Sequence, residues 1–372
     1  MRRLLFFLCI LAAGCTTSDR TTQKTPMSHP FPSLISNVQT IEPLDFCGEP
    51  VDLDKRDIRE RMEKELLITI WDRAQVALWI KRSTRYFPLI EEMLKKEDMP
   101  EDLKYVAVAE SALRPHVRST KGAIGFWQFI KATGKKFDLQ IDSNKDERRN
   151  IFTSTKAAIA YFKELYSIFG SWTLSAAAYN MGEQGLQSEI LAQRCNNFYD
   201  LYLPFETQRF IFRIVSAKLI LSDPEKYGFT FTKEDLYPPI EFDRIKLTCN
   251  QTTPIDIIAQ AANTTFKAIK DLNTEIRGHY IAAGSHSILI PKGSSMDFHS
   301  RLKTFSDQWL ANNNEHVYVV KKGDNLSKIA KRFKVPLPAL MIWNRLNLNK
   351  HIHPGDRLII YPNGIESEDE NL

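Results

Sequence analysis

One glutamate interrupts the apolar stripe of a predicted helix. The apolar positions of the segment after Pro100 are Leu103, Val106 and Ala107. Glu110 follows on the same stripe, seven positions after Leu103. A carboxylate on the core-facing side of a helix is costly unless it is paired or uncharged, and both burial and the carbonyl end of the helix favour the uncharged form. Glu110 is therefore a candidate general acid, with an ion pair to an arginine or an exposed carboxyl as the alternative.

Four short motifs occur in order from this glutamate onward. They are Glu110–Pro115, Gly122–Phe129, Ala178–Gly182 and Leu203–Thr207. Together they resemble the family 1 soluble-lytic-transglycosylase domain, and the similarity extends over residues 86–221 or so. Because four separate segments agree in their order, the resemblance is specific.

The resemblance implies a mainly α, lysozyme-like catalytic domain with Glu110 as the sole catalytic acid and base. Five further residues match positions of the family's substrate site: Ser119, Gln128, Tyr179, Asn180 and Glu206. In the family pattern Gln128 lies near the N-acetyl group of the saccharide, and Tyr179 lies close to the catalytic carboxyl. Glu206 matches an acid that orders the cleft, and both a structural and a catalytic role remain open for it.

The expected substrate is the glycan strand of peptidoglycan, built of GlcNAc and MurNAc. Ordinary glycosidases use two carboxyl groups. A single carboxyl suffices if the MurNAc 6-hydroxyl attacks instead of water, which leaves a 1,6-anhydroMurNAc end. No metal and no cofactor are expected. The alternatives are a muramidase that uses water at the same site, and a peptidoglycan-binding lipoprotein without catalytic activity.

The C-terminal third contains an internal repeat. A shift of 71 residues places 253–293 on 324–364 without a gap, and it pairs Asn273 with Asn344 and Ile288 with Ile359. Each copy predicts a small β-α-α-β unit that resembles a LysM module, which binds glycans containing N-acetylglucosamine. We assign a LysM module to residues 316–362 and a degenerate LysM-like module to residues 245–293.

Two differences define the first copy as degenerate. The glycan-binding turn of the second copy is expected at Gly323 and Asp324, with Asp324 or Asn325 capping the next helix. The first copy has two threonines at the positions of Gly323 and Asp324, and it has Ser287 where Leu358 stands. The fold of the first copy is expected to be retained, and its affinity for glycan stays open.

The N-terminus predicts an export signal. Residues 1–14 combine two arginines with an apolar run, and small residues then lead to Cys15, as in a bacterial lipobox. Cys15 is the predicted site of lipidation, and residues 15–50 are the predicted lipid anchor and tether. Thr16 after the cysteine indicates the outer membrane of a Gram-negative cell, facing the periplasm. An ordinary signal peptide with an incidental cysteine is the alternative.

Composition excludes other classes of protein. The chain has 372 residues, 43% of them hydrophobic and 26% charged, so it can bury several cores. Its formal charge of +5 is mild, so nucleic acid is not an expected partner, and the sequence leaves any protein partners unknown. The remaining predicted segments are the catalytic domain over 51–230, a helical linker over 294–315 and an acidic tail over 363–372.

Three cysteines remain after Cys15, an odd number, so at least one thiol is free; they are Cys47, Cys195 and Cys249.

Overall fold

The computed structural model describes residues 38, 43–311, 317–344, 346 and 351–360. The predicted signal peptide, the lipidation site Cys15 and the acidic tail at 363–372 lie outside these residues. Among the residues that are described, no helix combines the length and the apolar composition that crossing a membrane requires.

Residues 43–236 form a helical domain around one hydrophobic core. Its helices are α1 (Arg56–Trp71), α2 (Arg73–Lys96), α3 (Lys104–Ser111), α4 (Lys131–Lys136), α5 (Ile151–Phe169), α6 (Trp172–Met181), α7 (Glu183–Gln193) and α8 (Phe205–Ser222). Short 3-10 turns stand between them at Glu101–Leu103, Glu147–Arg149 and Phe198–Asp200, and two more follow α8 at Glu225–Tyr227 and Lys233–Asp235. The prediction of a mainly α domain is confirmed.

Local signals in the sequence set several helix ends. Asp72 accepts a hydrogen bond from Gln75 N at the start of α2, and Asn150 accepts from Phe152 N and Thr153 N at the start of α5. Gly170 ends α5 with φ +63°, a conformation that costs glycine least. These caps satisfy amide and carbonyl groups that a helix end leaves without partners.

Helix α8 is the centre of the domain. Phe210, Ile211, Ile214 and Val215 are fully buried, and α8 packs against α1, α3 and α6. Arg209 on α8 binds the buried carboxylate of Glu65 on α1. Because α3 carries Glu110 and α6 carries Tyr179, the packing of α8 brings together motifs that are far apart in sequence.

A small hairpin precedes the helices and belongs to their core. Strands β1 (Asp45–Phe46) and β2 (Glu49–Pro50) pair antiparallel, and Phe46 is fully buried. The Glu49 carboxylate accepts hydrogen bonds from the amides of Trp172 and Thr173 and from the hydroxyls of Ser171 and Thr173, all at the start of α6. The tether predicted over 15–50 therefore overlaps the folded domain, because its last residues fill the core and cap a helix.

Two repeat units follow. The first contains β3 (Phe242–Cys249), β4 (Thr253–Pro254), α9 (Ile255–Ala261), α10 (Phe266–Leu272), β5 (Tyr280–Ile281), β6 (Gly284–Pro291) and α11 (Phe298–Ala311). The second contains β7 (Val317–Val319), α12 (Leu326–Arg332), α13 (Leu337–Trp343) and β8 (Arg357–Ile359). Helices α9 and α10 lie 71 residues before α12 and α13, as the repeat predicts, and β3 pairs with β6 as β7 pairs with β8. The predicted small βααβ units are confirmed.

One asparagine in each unit ties its second helix to its last strand. The Asn273 amide donates to Leu289 O and accepts from Leu289 N, and the Asn344 amide makes the same exchange with Ile359. Leu289 and Ile359 are 70 residues apart, so the gapless alignment is wrong by one residue in this strand. Ile288, and not Ser287, therefore corresponds to Leu358, and both of these side chains are buried.

The linker predicted over 294–315 contains helix α11, and this helix packs on the first unit. Phe298 is fully buried in the core of that unit, with Leu302 and Phe305 against it. The Arg301 guanidinium donates to Ala261 O at 2.7 Å, at the end of α9. The helix thus completes the first unit, because it covers the apolar face of α9.

The turn of the second unit is built by its side chains. The Asp324 carboxylate accepts from Tyr318 Oη at 2.6 Å and from Lys321 N at 2.7 Å. Asn325, and not Asp324, caps α12 by accepting from Lys328 N at 2.8 Å. Thr253 of the first unit lies in strand β4 instead, so the two units differ in structure where they differ in sequence.

The capping of α6 by Glu49 gives a test of the hairpin's role. Replacing Glu49 with Ala removes four hydrogen bonds to one carboxylate and should lower the free energy of unfolding by about 2 kcal/mol or more. Urea denaturation measures the effect. Glu60→Ala, at an exposed position on α1, is the matched control and should change stability by less than about 0.5 kcal/mol. Equal effects of the two substitutions would contradict the capping role.

Candidate active site

The catalytic candidate Glu110 lies in the last turn of α3. Ala112 and Leu113 follow with φ of +53° and +57°, left-handed values that turn the chain sharply after the helix. Such backbone conformations are costly for residues other than glycine and persist where the surroundings hold them. Ser111 holds them here, because its hydroxyl donates to Phe126 O at 2.7 Å and accepts from Arg114 N. The helix predicted to open at Pro100 begins with a 3-10 turn and becomes α-helical at Lys104.

The Glu110 carboxyl is desolvated. Burial raises its pKa from 4.5 to about 8, the charge of Arg213 opposes the rise and the charge of Glu206 adds to it. Within the described part of the chain, the carboxyl makes no ion pair, so the alternative of an arginine-paired glutamate does not hold. With a pKa near 8 the carboxyl is protonated at neutral pH, which is the state a general acid needs.

The segment Gly122–Phe129, here called the saccharide loop, packs against the turn after α3. Gly125 has φ +88°, and a Cβ on it would lie 1.8 Å from Arg148 O, so only glycine fits there. The Trp127 indole is buried in the core and donates to Thr155 Oγ1 at 3.0 Å. The loop is thus fixed by its backbone and by a buried ring.

Gln128 is held in a strained conformation in this loop. Its φ is +50°, and its side-chain amide donates to Val117 O at 3.2 Å and to Gly125 O at 2.8 Å. Both amide hydrogens are used within the protein, which leaves the carbonyl Oε1 as an acceptor. An acceptor at this position suits the N–H of an N-acetyl group.

An internal ion pair fastens the saccharide loop to the middle of the domain. Asp146 binds Arg148 through two hydrogen bonds of 2.8 Å, and both side chains are buried. The Arg148 guanidinium also donates to Gly122 O and Phe129 O at 3.2 Å. The two ends of the loop are therefore held by one guanidinium, whose planar shape allows several hydrogen bonds at once.

Tyr179 connects α6 to the loop and to Glu110. Its hydroxyl donates to Trp127 O at 2.6 Å, and its ring stacks on Phe162 with centroids 4.9 Å apart. Burial raises the pKa of Tyr179 well above its usual range, and the charge of Glu110 contributes to the rise. The phenol is therefore neutral, and it lies close enough to the carboxyl to interact with it.

The structure places the other sequence-predicted residues in supporting positions. Ser119 Oγ accepts from Ala123 N at 3.0 Å and closes the turn before the saccharide loop. Asn180 Oδ1 accepts from Thr207 Oγ1 at 2.9 Å and joins α6 to α8. Gly323 and Asp324 belong to the second repeat unit and not to the helical domain that carries Glu110. The roles of these residues stay predictions.

Arg213 is a functional candidate that the sequence analysis missed. It lies on α8 two turns after Glu206, and its guanidinium binds the Glu206 carboxylate at 2.7 Å. The two residues act on Glu110 with opposite charges. The spacing of seven positions places them on one helix face and could have indicated the pair, but only the packing of α8 against α3 shows that Glu110 lies beside them.

Parts of this chain are similar to known protein domains. Residues 87–200 match the family model of the Transglycosylase SLT domain, and residues 255–286 and 318–360 match that of the LysM domain. The chain carries an SLT domain followed by two LysM domains. The candidates Glu110, Gln128 and Tyr179 lie within the SLT domain, and both repeat units coincide with a LysM match.

Two curated relatives have the same description, membrane-bound lytic murein transglycosylase D. They come from Escherichia coli strains K12 and O6:H1, and each is 30% identical over 295 residues, or 75% of this chain. The aligned stretch spans 64% of the relatives' length. A solved structure, the 70 kDa soluble lytic transglycosylase SLT70 of E. coli, aligns with 48% of this chain and with 30% of the SLT70 chain. The aligned residues are 17% identical, and the TM-score is 0.33.

The charges around Glu110 give a prediction for pH dependence. Glu206→Gln removes a negative charge and should lower the pKa of Glu110, whereas Arg213→Gln removes a positive charge and should raise it. The alkaline limb of the kcat profile, near pH 8 in the unmodified chain, should move to lower pH in the first variant and to higher pH in the second. The measurement is turnover of soluble peptidoglycan fragments between about pH 5 and pH 10.

Arg56→Gln, at an exposed position on α1, is the control and should leave the limb in place. Shifts in the same direction for both variants would show that the alkaline limb does not report the ionisation of Glu110.

Proposed function

We propose that this chain is a lytic transglycosylase that cleaves the MurNAc-β-1,4-GlcNAc bond of peptidoglycan and leaves 1,6-anhydroMurNAc ends. The observation that carries the proposal is the desolvated Glu110 carboxyl, protonated at neutral pH, inside an SLT domain. The name of the E. coli relatives, lytic murein transglycosylase, supports the same activity. Remodelling or turnover of the cell wall is the process it would serve.

In the proposed reaction Glu110 acts twice. Its proton goes to the glycosidic oxygen as the bond to the MurNAc anomeric carbon breaks, and the N-acetyl group of MurNAc stabilises the positive charge that develops. The Glu110 carboxylate then takes the proton of the MurNAc 6-hydroxyl, whose oxygen bonds to the anomeric carbon. The carboxyl is protonated again at the end, and no water is consumed.

The surrounding residues fit this reaction. Both amide hydrogens of Gln128 are donated within the protein, so its Oε1 would accept a hydrogen bond from a substrate N-acetyl N–H and so orient the ring. Tyr179, neutral and beside Glu110, adds a polar group to the cleft without adding charge. Both residues position the substrate, and Glu110 carries the proton transfers.

Glu206 supports a mechanism with one carboxyl. It is exposed, and Arg213 binds it, so it serves as a charge near Glu110. A muramidase would use Glu206 or another acid to activate water, and the ion pair with Arg213 disfavours that role. A binding protein without activity has no need of the costly desolvation of Glu110.

Replacing Glu110 with Gln tests the activity. The amide keeps the shape of the side chain and removes its proton, and since one residue supplies both acid and base, turnover should fall by roughly 10³-fold or more. The products of the unmodified chain, identified by mass spectrometry of muropeptides from purified sacculi, should be one water lighter than the products of a hydrolase. Glu60→Gln, at an exposed site, is the control and should retain full release.

The outcomes separate the alternatives. Reducing MurNAc ends as the main product of the unmodified chain would assign a muramidase. Release by a folded Glu110→Gln variant at the rate of the unmodified chain would remove Glu110 from the mechanism. No release by the unmodified chain would favour a binding protein.

The same substitution should also change the pH dependence of stability. The pKa of Glu110 is about 8 in the folded chain and about 4.5 in the unfolded chain. Between these two pH values the unfolded chain loses the proton and the folded chain keeps it, so the free energy of unfolding falls as the pH rises. The Gln variant lacks this cost. The melting temperature of the Gln variant minus that of the unmodified chain should therefore increase from pH 4.5 to about pH 8 and stay constant at higher pH.

We further propose that the second LysM domain retains the enzyme on peptidoglycan. Its turn at Gly323 and Asp324 is the expected contact with glycan, and the hydrogen bonds of Asp324 with Tyr318 and Lys321 keep that turn in one conformation. Glycan strands rich in N-acetylglucosamine are the expected ligand, as for the catalytic cleft.

We also propose that the chain is a lipoprotein of the outer membrane, facing the periplasm and held by a lipid on Cys15. The relatives' description as membrane-bound supports attachment to a membrane. Cys15→Ser should release the protein from the membrane fraction, because each buried methylene of an acyl chain contributes about 0.8 kcal/mol to anchoring. Detergent partitioning and mass spectrometry of the N-terminus measure this. An unlipidated N-terminus in the unmodified protein would contradict the proposal.

A further inference from the structure

The first LysM domain is joined to the SLT domain by a short strand pairing. Asp146 N donates to Glu275 O at 2.9 Å, and Arg277 N donates to Asn144 O at 2.8 Å, which makes an antiparallel bridge between Lys145 and Ile276. The segment Thr274–Arg277, here called the bracing turn, follows Asn273 in the first unit. Its backbone is therefore paired with the segment that leads to Arg148.

Side chains strengthen the same contact. Thr274 Oγ1 donates to Arg149 O at 2.7 Å, and Arg277 Nη1 donates to Asp142 O at 2.9 Å. Nearby, the rings of Phe152 on α5 and Phe242 on β3 meet edge to face, with centroids 5.6 Å apart. The contact thus combines polar and apolar interactions from several elements of each domain.

Glu275 is the buried centre of the bracing turn. Its side chain is 3% exposed, and the Asn150 side chain, which also caps α5, hydrogen-bonds its carboxyl. The second copy has Arg345 and Leu346 after Asn344, where the first has Thr274 and Glu275 after Asn273. The groups that make this contact therefore belong to the first copy only.

The contact continues directly to the saccharide loop. Asp146, whose amide is bound by Glu275, holds Arg148 through two hydrogen bonds, and Arg148 holds both ends of the loop at Gly122 and Phe129. The backbone of Arg148 also lies against Gly125. Two residues, Asp146 and Arg148, thus connect the bracing turn to the loop that carries Gln128.

We propose that the bracing turn is a positioning element for the saccharide loop, so that the first LysM domain is a structural part of the active site. This inference rests on the proposed function. Glu110 lies on α3, which packs against α8, whereas Gln128 lies in the loop that Arg148 holds. Loosening the turn should therefore weaken substrate binding and leave the ionisation of Glu110 unchanged.

Charge reversal at Glu275 tests the proposal in the full chain. Glu275→Lys places a cation in a buried position beside Lys145, and the nearby carboxylate of Glu147 is already paired with Lys145. The substitution should open the contact, because burying a charge without an ion-pair partner of its own is costly. The KM for soluble peptidoglycan fragments should rise by about tenfold or more, since displacements of about 1 Å in a binding site have effects of this size. The alkaline limb of kcat should keep its position.

Hydrogen exchange provides a readout that does not depend on catalysis. In Glu275→Lys the amides of residues 119–129 should exchange at least about tenfold faster, because their loop loses its support. Glu275→Gln can still accept from Asn150 and should resemble the unmodified chain in exchange and in KM. Lys267→Ala, on the exposed surface of α10, is the control within the same domain.

A milder variant covers the case in which the charge reversal prevents folding. Thr274→Val combined with Arg277→Ala removes two side-chain hydrogen bonds and keeps the backbone pairing. Like Glu275→Lys, this double variant should raise KM and speed up the exchange of the amides at 119–129. Unchanged exchange at 119–129 in the folded variants would overturn the proposal. A lower kcat with an unchanged KM would also overturn it, because that result indicates a smaller folded fraction and not weaker substrate binding. A chain that releases no product would contradict the proposed function, and the exchange result would still decide the role of the turn.

Discussion

Desolvation of one carboxyl is the constraint on which the site depends. Glu110 lies on α3, which packs against α8, and desolvation of its carboxyl raises its pKa to about 8 more than any neighbouring charge does. The arrangement stores a cost in stability at neutral pH, as functional sites often do. The large core around α8 and the hairpin that caps α6 offset this cost, because they fix the helices that exclude water.

The saccharide loop has a different physical basis. Few of its residues lie in regular structure, and a buried ion pair between Asp146 and Arg148 replaces the hydrogen bonds that a helix or sheet would supply. Such a pair is weak as a source of net stability but specific in geometry, since a planar guanidinium binds its partners in only a few orientations. The loop can therefore present Gln128 in a conformation that its own sequence disfavours.

The two LysM domains show how one fold is used in two ways. They share helix positions and the asparagine that joins the second helix to the last strand, so these parts of the two copies are built in the same way. They differ at the turn before the first helix and at the segment after the asparagine. The first copy uses that segment to contact the SLT domain, and the second forms the Asp324 turn that we assign to glycan binding.

The sequence by itself determined the helical class, the repeat and the candidate acid, because these follow from local periodicity and from motifs in a fixed order. The helices, the two βααβ units and the apolar stripe with Glu110 are all found in the structure. Only the tertiary structure decided that Arg213 lies beside Glu110, that Leu44 and Phe46 belong to the core and that the first LysM domain contacts the SLT domain. These are contacts between residues up to 173 positions apart, and no local pattern specifies them, since they depend on how α8 and the units pack.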